Sequence, residues 1–175
     1  ILILSSIMPY YSVKAQEEFA ETEFEEEGKP QLFDSNLKIA TIAGGLSTPT
    51  TMAFVGPGDI LVLEKDTGMV KRIVNGKVLS KPVLDVNVAN SVERCMCGIA
   101  VSKDSTTTYV FIYYTEIAGK DGDDKAGVQP IGNRVYRYEL SGDVLTNPLL
   151  LMDLPANPGP RHNGGDIMIG PDNNL

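Results

Sequence analysis

The apolar residues of this chain come in short runs, and this pattern limits the fold more than any other feature of the sequence. From about residue 37 onward, each run is four to eight residues long and is bounded by Gly, Pro, Asn or Asp. Such runs, rich in Val, Ile and Tyr, are typical of β-strands. They read LKIATI, TMAFV, DILVLE, MVKRIV, CGIAV, TYVFIYYT, NRVYRYEL and LLLMDL. No segment has a convincing amphipathic helical period, so the sequence predicts an all-β fold.

Two of the intervals between runs are short turns. They contain Asp66-Thr67-Gly68 and Asn75-Gly76. Glycine supplies the positive φ that tight hairpin turns need, and Asn and Asp are favoured beside it. The strands on either side of each turn are therefore expected to pair as hairpins.

A looser repeat indicates how the strands are grouped. The segments MAFVGPGDILVLE, GIAVSKDSTTTYVFIYY and DIMIGPDNNL each contain an apolar strand, a turn and the start of another strand. Val55, Val101 and Ile169 occupy matching places, 46 and 68 residues apart. These intervals fit the four-stranded blades of a β-propeller, with the second blade enlarged by an insertion at residues 117–132. A β-sandwich would also contain many short strands, so the period alone favours the propeller modestly.

The insertion contains the segment GKDGDDKAG, residues 119–127, with three Asp close together. Carboxylates at this density suggest calcium. However, the segment lacks the spacing and the distal glutamate of an EF-hand loop. We therefore expect a solvated loop here.

The N-terminal segment ILILSSIMPYYSVKA, residues 1–15, is too short and too often interrupted to span a membrane comfortably. Val13-Lys14-Ala15 offers small residues where a signal peptidase cleaves. We therefore expect an export signal that lacks its basic start, cleavage after Ala15, and an extracellular, cell-surface or periplasmic protein. Attachment to a membrane is expected only if the segment stays uncleaved. The alternative is a short N-terminal strand of the domain.

Residues 16–36 are expected to form an acidic, disordered spacer. Residues 16–29 carry seven Glu and one Lys, and so contribute −6 of the net charge of −8. Residues 30–175 are nearly balanced, with 16 acidic and 13 basic side chains. The acidity therefore belongs to the solvated segment. No basic or aromatic cluster suggests a nucleic-acid partner, and the folded domain is expected to cover residues 37–175.

The only histidine, His162, lies in the segment GPRHNGGD, residues 159–166. Gly164 and Gly165 allow a tight bend that leaves space beside the imidazole. An exposed imidazole titrates near neutral pH and is suited to act as a general base. The alternative is a surface histidine in a structural turn.

Cys95 and Cys97 are separated by one residue. In an extended strand, residues i and i+2 lie too far apart to form a disulfide without a turn. Three interpretations stay open: buried thiols acting as small hydrophobic groups, a strained redox-active disulfide, or a two-thiolate metal site. The first is favoured.

Three stretches taken together resemble the soluble glucose/sorbosone dehydrogenase family. They are ERCMCGIAVSKD at 93–104, GNRVYRYEL at 132–140 and GPRHNGGDIMIGPDNNL at 159–175. The resemblance implies a six-bladed β-propeller that uses pyrroloquinoline quinone (PQQ) with calcium. It also implies that this chain is a fragment holding the first two blades and the beginning of the third. The two cysteines replace a glycine and a leucine of the family's usual Gly-Leu-Leu-Gly run.

The resemblance implies an exported quinoprotein that oxidises an aldose sugar or a related alcohol and passes the electrons to an external acceptor. His162 matches the histidine that takes the hydroxyl proton while hydride passes to the quinone. Glu93 matches a position where glucose-oxidising members carry a glutamine that touches the cofactor.

Two neighbours of the histidine are weaker site candidates. Arg161 stands where glucose-oxidising relatives have an aspartate, so glucose is not the expected substrate. Asp166 would either orient His162 or begin a strand. The family's calcium ligands and its basic residues that hold the quinone are expected beyond residue 175, so no metal ligand is predicted within the chain. A propeller that binds a carbohydrate or protein without turnover is the alternative function.

Overall fold

The structure is a computed structural model and describes residues 2–4, 30–157 and 159–175. The chain divides into two compact units, residues 1–44 and 45–175. In the first unit, strand β1 (Leu2–Leu4) pairs antiparallel with strand β2 (Ile39–Thr41). The predicted cleavage site and most of the predicted export signal and acidic spacer lie outside the described residues.

The second unit contains two antiparallel sheets, each built from strands that follow one another in the chain. The first sheet has the order β3 (Pro49–Gly56), β4 (Asp59–Glu64), β5 (Met69–Val74) and β6 (Lys77–Val78), and β7 (Leu84–Asp85) also pairs with β5. The second sheet has the order β8 (Met96–Lys103), β9 (Thr108–Glu116), β10 (Gly132–Ser141) and β11 (Val144–Leu154). The predicted all-β fold is confirmed, with five strands in the first sheet and four in the second.

Both predicted hairpin turns are present. Gly68 between β4 and β5 has a φ of 61°, and Asn75 and Gly76 have φ values of 48° and 80°. Val74 pairs with Lys77 across the two-residue turn. The positive φ angles explain why Gly and Asn occupy these positions.

The two sheets share one hydrophobic core. The first sheet and the connection that follows it contribute Val55, Leu61, Leu63, Val70, Val83 and Val88, and the second contributes Met96, Ile99, Val110, Ile112, Tyr114, Tyr138 and Leu145. Backbone and side-chain hydrogen bonds also join the sheets, because the Met96 carbonyl accepts from Thr50 Oγ1 at 2.8 Å and the Met96 N–H donates to the Lys65 carbonyl at 3.3 Å. The start of β8 is therefore fixed against the first sheet.

An ion-pair cluster joins the first sheet to the β10–β11 turn of the second sheet. Arg72 donates from Nε and Nη2 to the two carboxylate oxygens of Asp59, at 2.8 and 2.7 Å. Its Nη1 donates to the Gly142 carbonyl at 2.6 Å and to Asp143 at 2.9 Å, in the turn between β10 and β11. The hydrogen bond from Arg72 is the main reason why the pKa of Asp59 lies below its usual value.

The connection between β9 and β10, residues 117–131, is largely exposed over residues 118–129, as expected of a solvated loop, but one of its carboxylates is buried. It contains a 3₁₀ helix, Asp123–Ala126, and the Asp124 side chain is fully buried. Asp124 accepts hydrogen bonds from the backbone N–H groups of Asn90 and Ser91, both at 3.1 Å. It also forms a 3.1 Å ion pair with Arg94. The acidic residue is buried because it satisfies a neighbouring turn and a buried cation.

Residues 155–175 contain no strand in the part that the structure describes, so the strand predicted around Ile169 is absent. A strand needs a hydrogen-bonding neighbour, and no described strand pairs with this segment. Within the same described ranges, no helix is long and apolar enough to cross a membrane.

Candidate active site

His162 lies on an exposed segment that begins at Gly159. Its backbone has a φ of 58°, in the left-handed region that histidine adopts more readily than most non-glycine residues. The residue is exposed, and neither ring nitrogen has a hydrogen-bond partner among the described residues. The imidazole is therefore accessible from solvent.

Glu93 lies directly beside His162. Its Oε2 accepts a hydrogen bond from the backbone N–H of His162 at 2.7 Å. The backbone N–H of Glu93 donates to the Pro160 carbonyl at 3.0 Å. The structure thus brings these two predicted site residues together, although they are 69 residues apart in the chain. The contact is with the histidine backbone, not with its ring.

The other two candidates are near His162 without contacting its ring. Arg161 is exposed and forms no ion pair with any described residue. Asp166 is exposed at the edge of a cleft, makes no hydrogen bond to His162 and does not begin a strand. Both leave a charge at the surface beside the histidine.

A network of buried side-chain amides anchors the His162 segment to the second sheet. The sequence did not reveal this network. Asn163 donates from Nδ2 to the Gly159 carbonyl at 3.2 Å, which closes the segment on itself. Its Oδ1 accepts from Asn133 Nδ2 at 3.1 Å, and the same nitrogen donates to the Pro155 carbonyl at 3.1 Å. Thr115 Oγ1 donates to Asn133 Oδ1 at 2.7 Å. Both asparagines lie inside the motifs that carry the family resemblance, but their pairing across 30 residues has no local signal.

Gly165, after His162, packs tightly against Gly98 and Cys97 of the second sheet. A Cβ on Gly98 of β8 would lie 1.9 Å from the Gly165 carbonyl oxygen, and a Cβ on Gly165 would lie 2.7 Å from Cys97 Cβ. Next to this contact, the Tyr113 hydroxyl donates to the Asn163 carbonyl. Burial raises the pKa of Tyr113, so its hydroxyl stays protonated at neutral pH. The close approach explains why both positions carry glycine.

Cys95 and Cys97 form a disulfide at the start of β8. Met96 lies opposite Tyr114 and Gly98 lies opposite Tyr113, so Cys97 is the extra residue of a β-bulge. The Cα atoms of the two cysteines are 5.3 Å apart, whereas residues i and i+2 of a regular strand are about 6.6 Å apart. The favoured interpretation as buried thiols is therefore wrong, because it assumed a regular strand.

The NRVYRY motif joins three neighbouring strands of the second sheet. Arg134 of β10 donates from Nε and Nη2 to Asp153 of β11, at 3.1 and 2.9 Å, and from Nη1 to Glu116 of β9 at 2.8 Å. The Tyr136 hydroxyl donates to the same Glu116 oxygen at 2.8 Å. Hydrogen bonding to Arg134 lowers the pKa of Asp153. This motif joins three strands and does not reach His162.

A cleft of about 520 Å³ lies next to the histidine segment. Small-molecule sites commonly have volumes of about 300–1,000 Å³. The cleft is lined by Tyr113, Asn133, Val135, Leu151, Met152, Leu154, Pro155, His162, Asn163, Gly164, Gly165, Asp166, Ile167 and Leu175. Among the described residues, no group of three or more His, Cys, Asp or Glu is placed to hold a metal ion.

The chain matches the family model described as Glucose / Sorbosone dehydrogenase over residues 46–175. No significantly similar protein is found among the curated protein sequences.

Two solved structures resemble the chain. The PQQ-bound form of aldose sugar dehydrogenase from Streptomyces coelicolor has 30% identity and a TM-score of 0.59, over 77% of this chain and 38% of that chain. An oxidoreductase described as a glucose dehydrogenase, from Thermus thermophilus, has 24% identity and a TM-score of 0.62, over 78% of this chain and 38% of that chain. The chain thus spans about 38% of the length of either structure.

Proposed function

The chain belongs to the glucose/sorbosone dehydrogenase family, and on this premise we propose that the protein oxidises an aldose sugar or a related alcohol with His162 as general base. The observation that carries the proposal is the histidine itself. Its ring is exposed and lacks a partner among the described residues, while its backbone is fixed by Glu93. A histidine held in this way is suited to act on a bound molecule.

Oxidation of an alcohol removes a proton from oxygen and a hydride from the carbon that bears it. In our proposal, a ring nitrogen of His162 accepts the hydroxyl proton as the carbonyl bond forms. The electron pair of the C–H bond leaves with the hydride. PQQ, which is bound in the Streptomyces neighbour, would supply the acceptor for that hydride.

The described residues fit the reacting side of such a site. The exposed imidazole borders a cleft of suitable size, and Gly165 lets the histidine segment pack closely on the second sheet. Arg161 provides one exposed cation that would pair with an anionic group of the quinone. Calcium and an external electron acceptor are parts of the proposal for the whole protein. Export is also proposed, from the sequence of residues 1–15.

The test uses the full-length protein, reconstituted with PQQ and calcium and supplied with aldoses and an artificial electron acceptor. The His162→Gln variant keeps a polar side chain of similar reach but cannot serve as the base. We expect its kcat to fall by on the order of 10² to 10⁴. Lys120→Gln, a change at an exposed residue in the β9–β10 connection, is the matched control and should keep the wild-type rate.

Wild-type activity should fall at acid pH, because a protonated imidazole cannot act as a base, and the variant should lose this dependence. Equal rates for wild type and His162→Gln would contradict the role of the histidine as base. A wild-type protein that binds a sugar in calorimetry but does not oxidise it would support the alternative of a binding propeller.

A further inference from the structure

We propose that Glu93 is a positioning residue, which holds His162 in its left-handed backbone conformation instead of contacting the cofactor. The inference rests on the function proposed above. It differs from the role that the resemblance implied, because the Glu93 carboxylate hydrogen-bonds to the backbone of the histidine segment.

Glu93 binds the segment at two points. Its carboxylate accepts the His162 N–H at 2.7 Å, and its own N–H donates to the Pro160 carbonyl at 3.0 Å. A carboxylate is a stronger acceptor for an N–H group than a neutral oxygen. The two bonds fix the backbone on both sides of Arg161.

His162 needs such an anchor because its φ of 58° is unfavourable for an L-amino acid. On its C-terminal side, Asn163 is already held in the buried amide network. At the histidine itself, the backbone is fixed by the hydrogen bond from the His162 N–H to the Glu93 carboxylate. Because backbone conformation sets the direction of the Cα–Cβ bond, this hydrogen bond determines where the imidazole points.

The turn that carries Glu93 is itself held in an unfavourable conformation. The Arg94 N–H donates to the Ser91 carbonyl at 3.1 Å, and Val92 between them has a φ of 56°. A β-branched residue rarely adopts this region, and such strain persists only where the surroundings enforce it. Here the buried Asp124 carboxylate accepts from the Ser91 N–H and from Arg94 Nη1, both at 3.1 Å. The buried ion pair thus maintains the turn that presents Glu93 to the histidine.

The experiment compares two substitutions in the full-length protein. Glu93→Ala removes the acceptor, whereas Glu93→Gln keeps an oxygen at the same reach and removes the charge. Asp85→Ala is the matched control, since it removes an exposed carboxylate that has no hydrogen-bond partner among the described residues. The first measurement is hydrogen–deuterium exchange of the peptide spanning residues 159–165, without cofactor or substrate. The second is kcat in the reconstituted enzyme.

We expect Glu93→Ala to speed exchange in this peptide and to lower kcat by on the order of 10-fold to 100-fold, the cost of a displaced catalytic group. Glu93→Gln should slow turnover by less than about threefold and restore most of the protection, because a neutral oxygen still accepts the N–H. The control should match wild type in both measurements.

Two results would overturn the proposal. One is unchanged exchange in Glu93→Ala. The other is a Glu93→Gln variant that loses as much activity as Glu93→Ala while exchange stays at the wild-type level, since the charge would then act on the cofactor or substrate directly. A His162→Gln variant with full turnover would instead refute the proposed function. The exchange data would still decide whether Glu93 fixes the histidine backbone.

Discussion

The amide network below His162 leads to a prediction with an unusual pH dependence. Asn133 is 5% exposed, and its Nδ2 donates to Asn163 Oδ1 and to the Pro155 carbonyl. Asn133→Asp keeps the shape of the side chain but replaces this nitrogen with an oxygen. At neutral pH, a buried carboxylate would then face two acceptors, with Thr115 Oγ1 as its one remaining donor.

The expected loss of stability follows from the two acceptors that lose their donor. Each buried group left without a partner costs about 1–3 kcal/mol, so the variant should lose roughly 2–6 kcal/mol at pH 7. The loss should become smaller at acid pH, because a protonated carboxyl restores one donor. Burial raises the folded-state pKa of such a carboxyl above its unfolded value near 3.9. The variant therefore gains stability relative to wild type as pH falls through that raised pKa.

The measurement is urea unfolding of the full-length protein between pH 4.5 and pH 8, with Asn87→Asp as the control. Asn87 is exposed, so the same chemical change there should cost little at any pH in this range. A difference between Asn133→Asp and wild type that stays constant with pH would refute the assignment of the amide nitrogen as the essential donor. A variant as stable as wild type at pH 8 would refute the network itself.

Two further predictions concern the ion pair of the first sheet and the disulfide. Because hydrogen bonding to Arg72 lowers the folded-state pKa of Asp59, the stabilisation should be present above the unfolded pKa and should be lost as pH falls through the folded one. Asp59→Asn should therefore cost about 1 kcal/mol at pH 7, and the cost should shrink as pH falls through the lowered folded-state pKa of Asp59. Thermal unfolding measures this, and a cost that does not shrink toward acid pH would contradict it. Cys95 and Cys97 should resist alkylation by iodoacetamide until a reductant is added, and reduction should lower the free energy of unfolding by roughly 1–2 kcal/mol. Mass spectrometry detects the alkylation, and alkylated cysteines in the folded, unreduced protein would disprove the pairing.

The strands were predictable because their signals are local. The run TYVFIYYT falls within β9, and Asn75-Gly76 has the positive φ angles that such a pair favours. The segment near Ile169 shows the limit of this reasoning, since an apolar run forms a strand only beside a partner.

The features that the sequence did not reveal depend on distant partners. Asp124 looked solvated because its cation, Arg94, lies 30 residues away. Cys97 looked unable to pair because a bulge depends on the opposing strand. At the candidate site, the resemblance gave His162 and Glu93 separate roles, as base and as a residue that touches the cofactor, and only the structure shows that they meet. Which atoms meet depends on backbone angles at His162 that its residue type permits but does not require.

The bulge at Cys97 also changes which face of the sheet the preceding residues of β8 point toward. Side chains alternate between the two faces of a strand, and one extra residue reverses that alternation for everything before it. Met96 is fully buried in the core, and Glu93 reaches the histidine segment from three residues earlier in the chain. Both depend on the same count of residues. Losing a single residue here would therefore turn Met96 toward solvent and shift Glu93 by one position relative to the histidine segment.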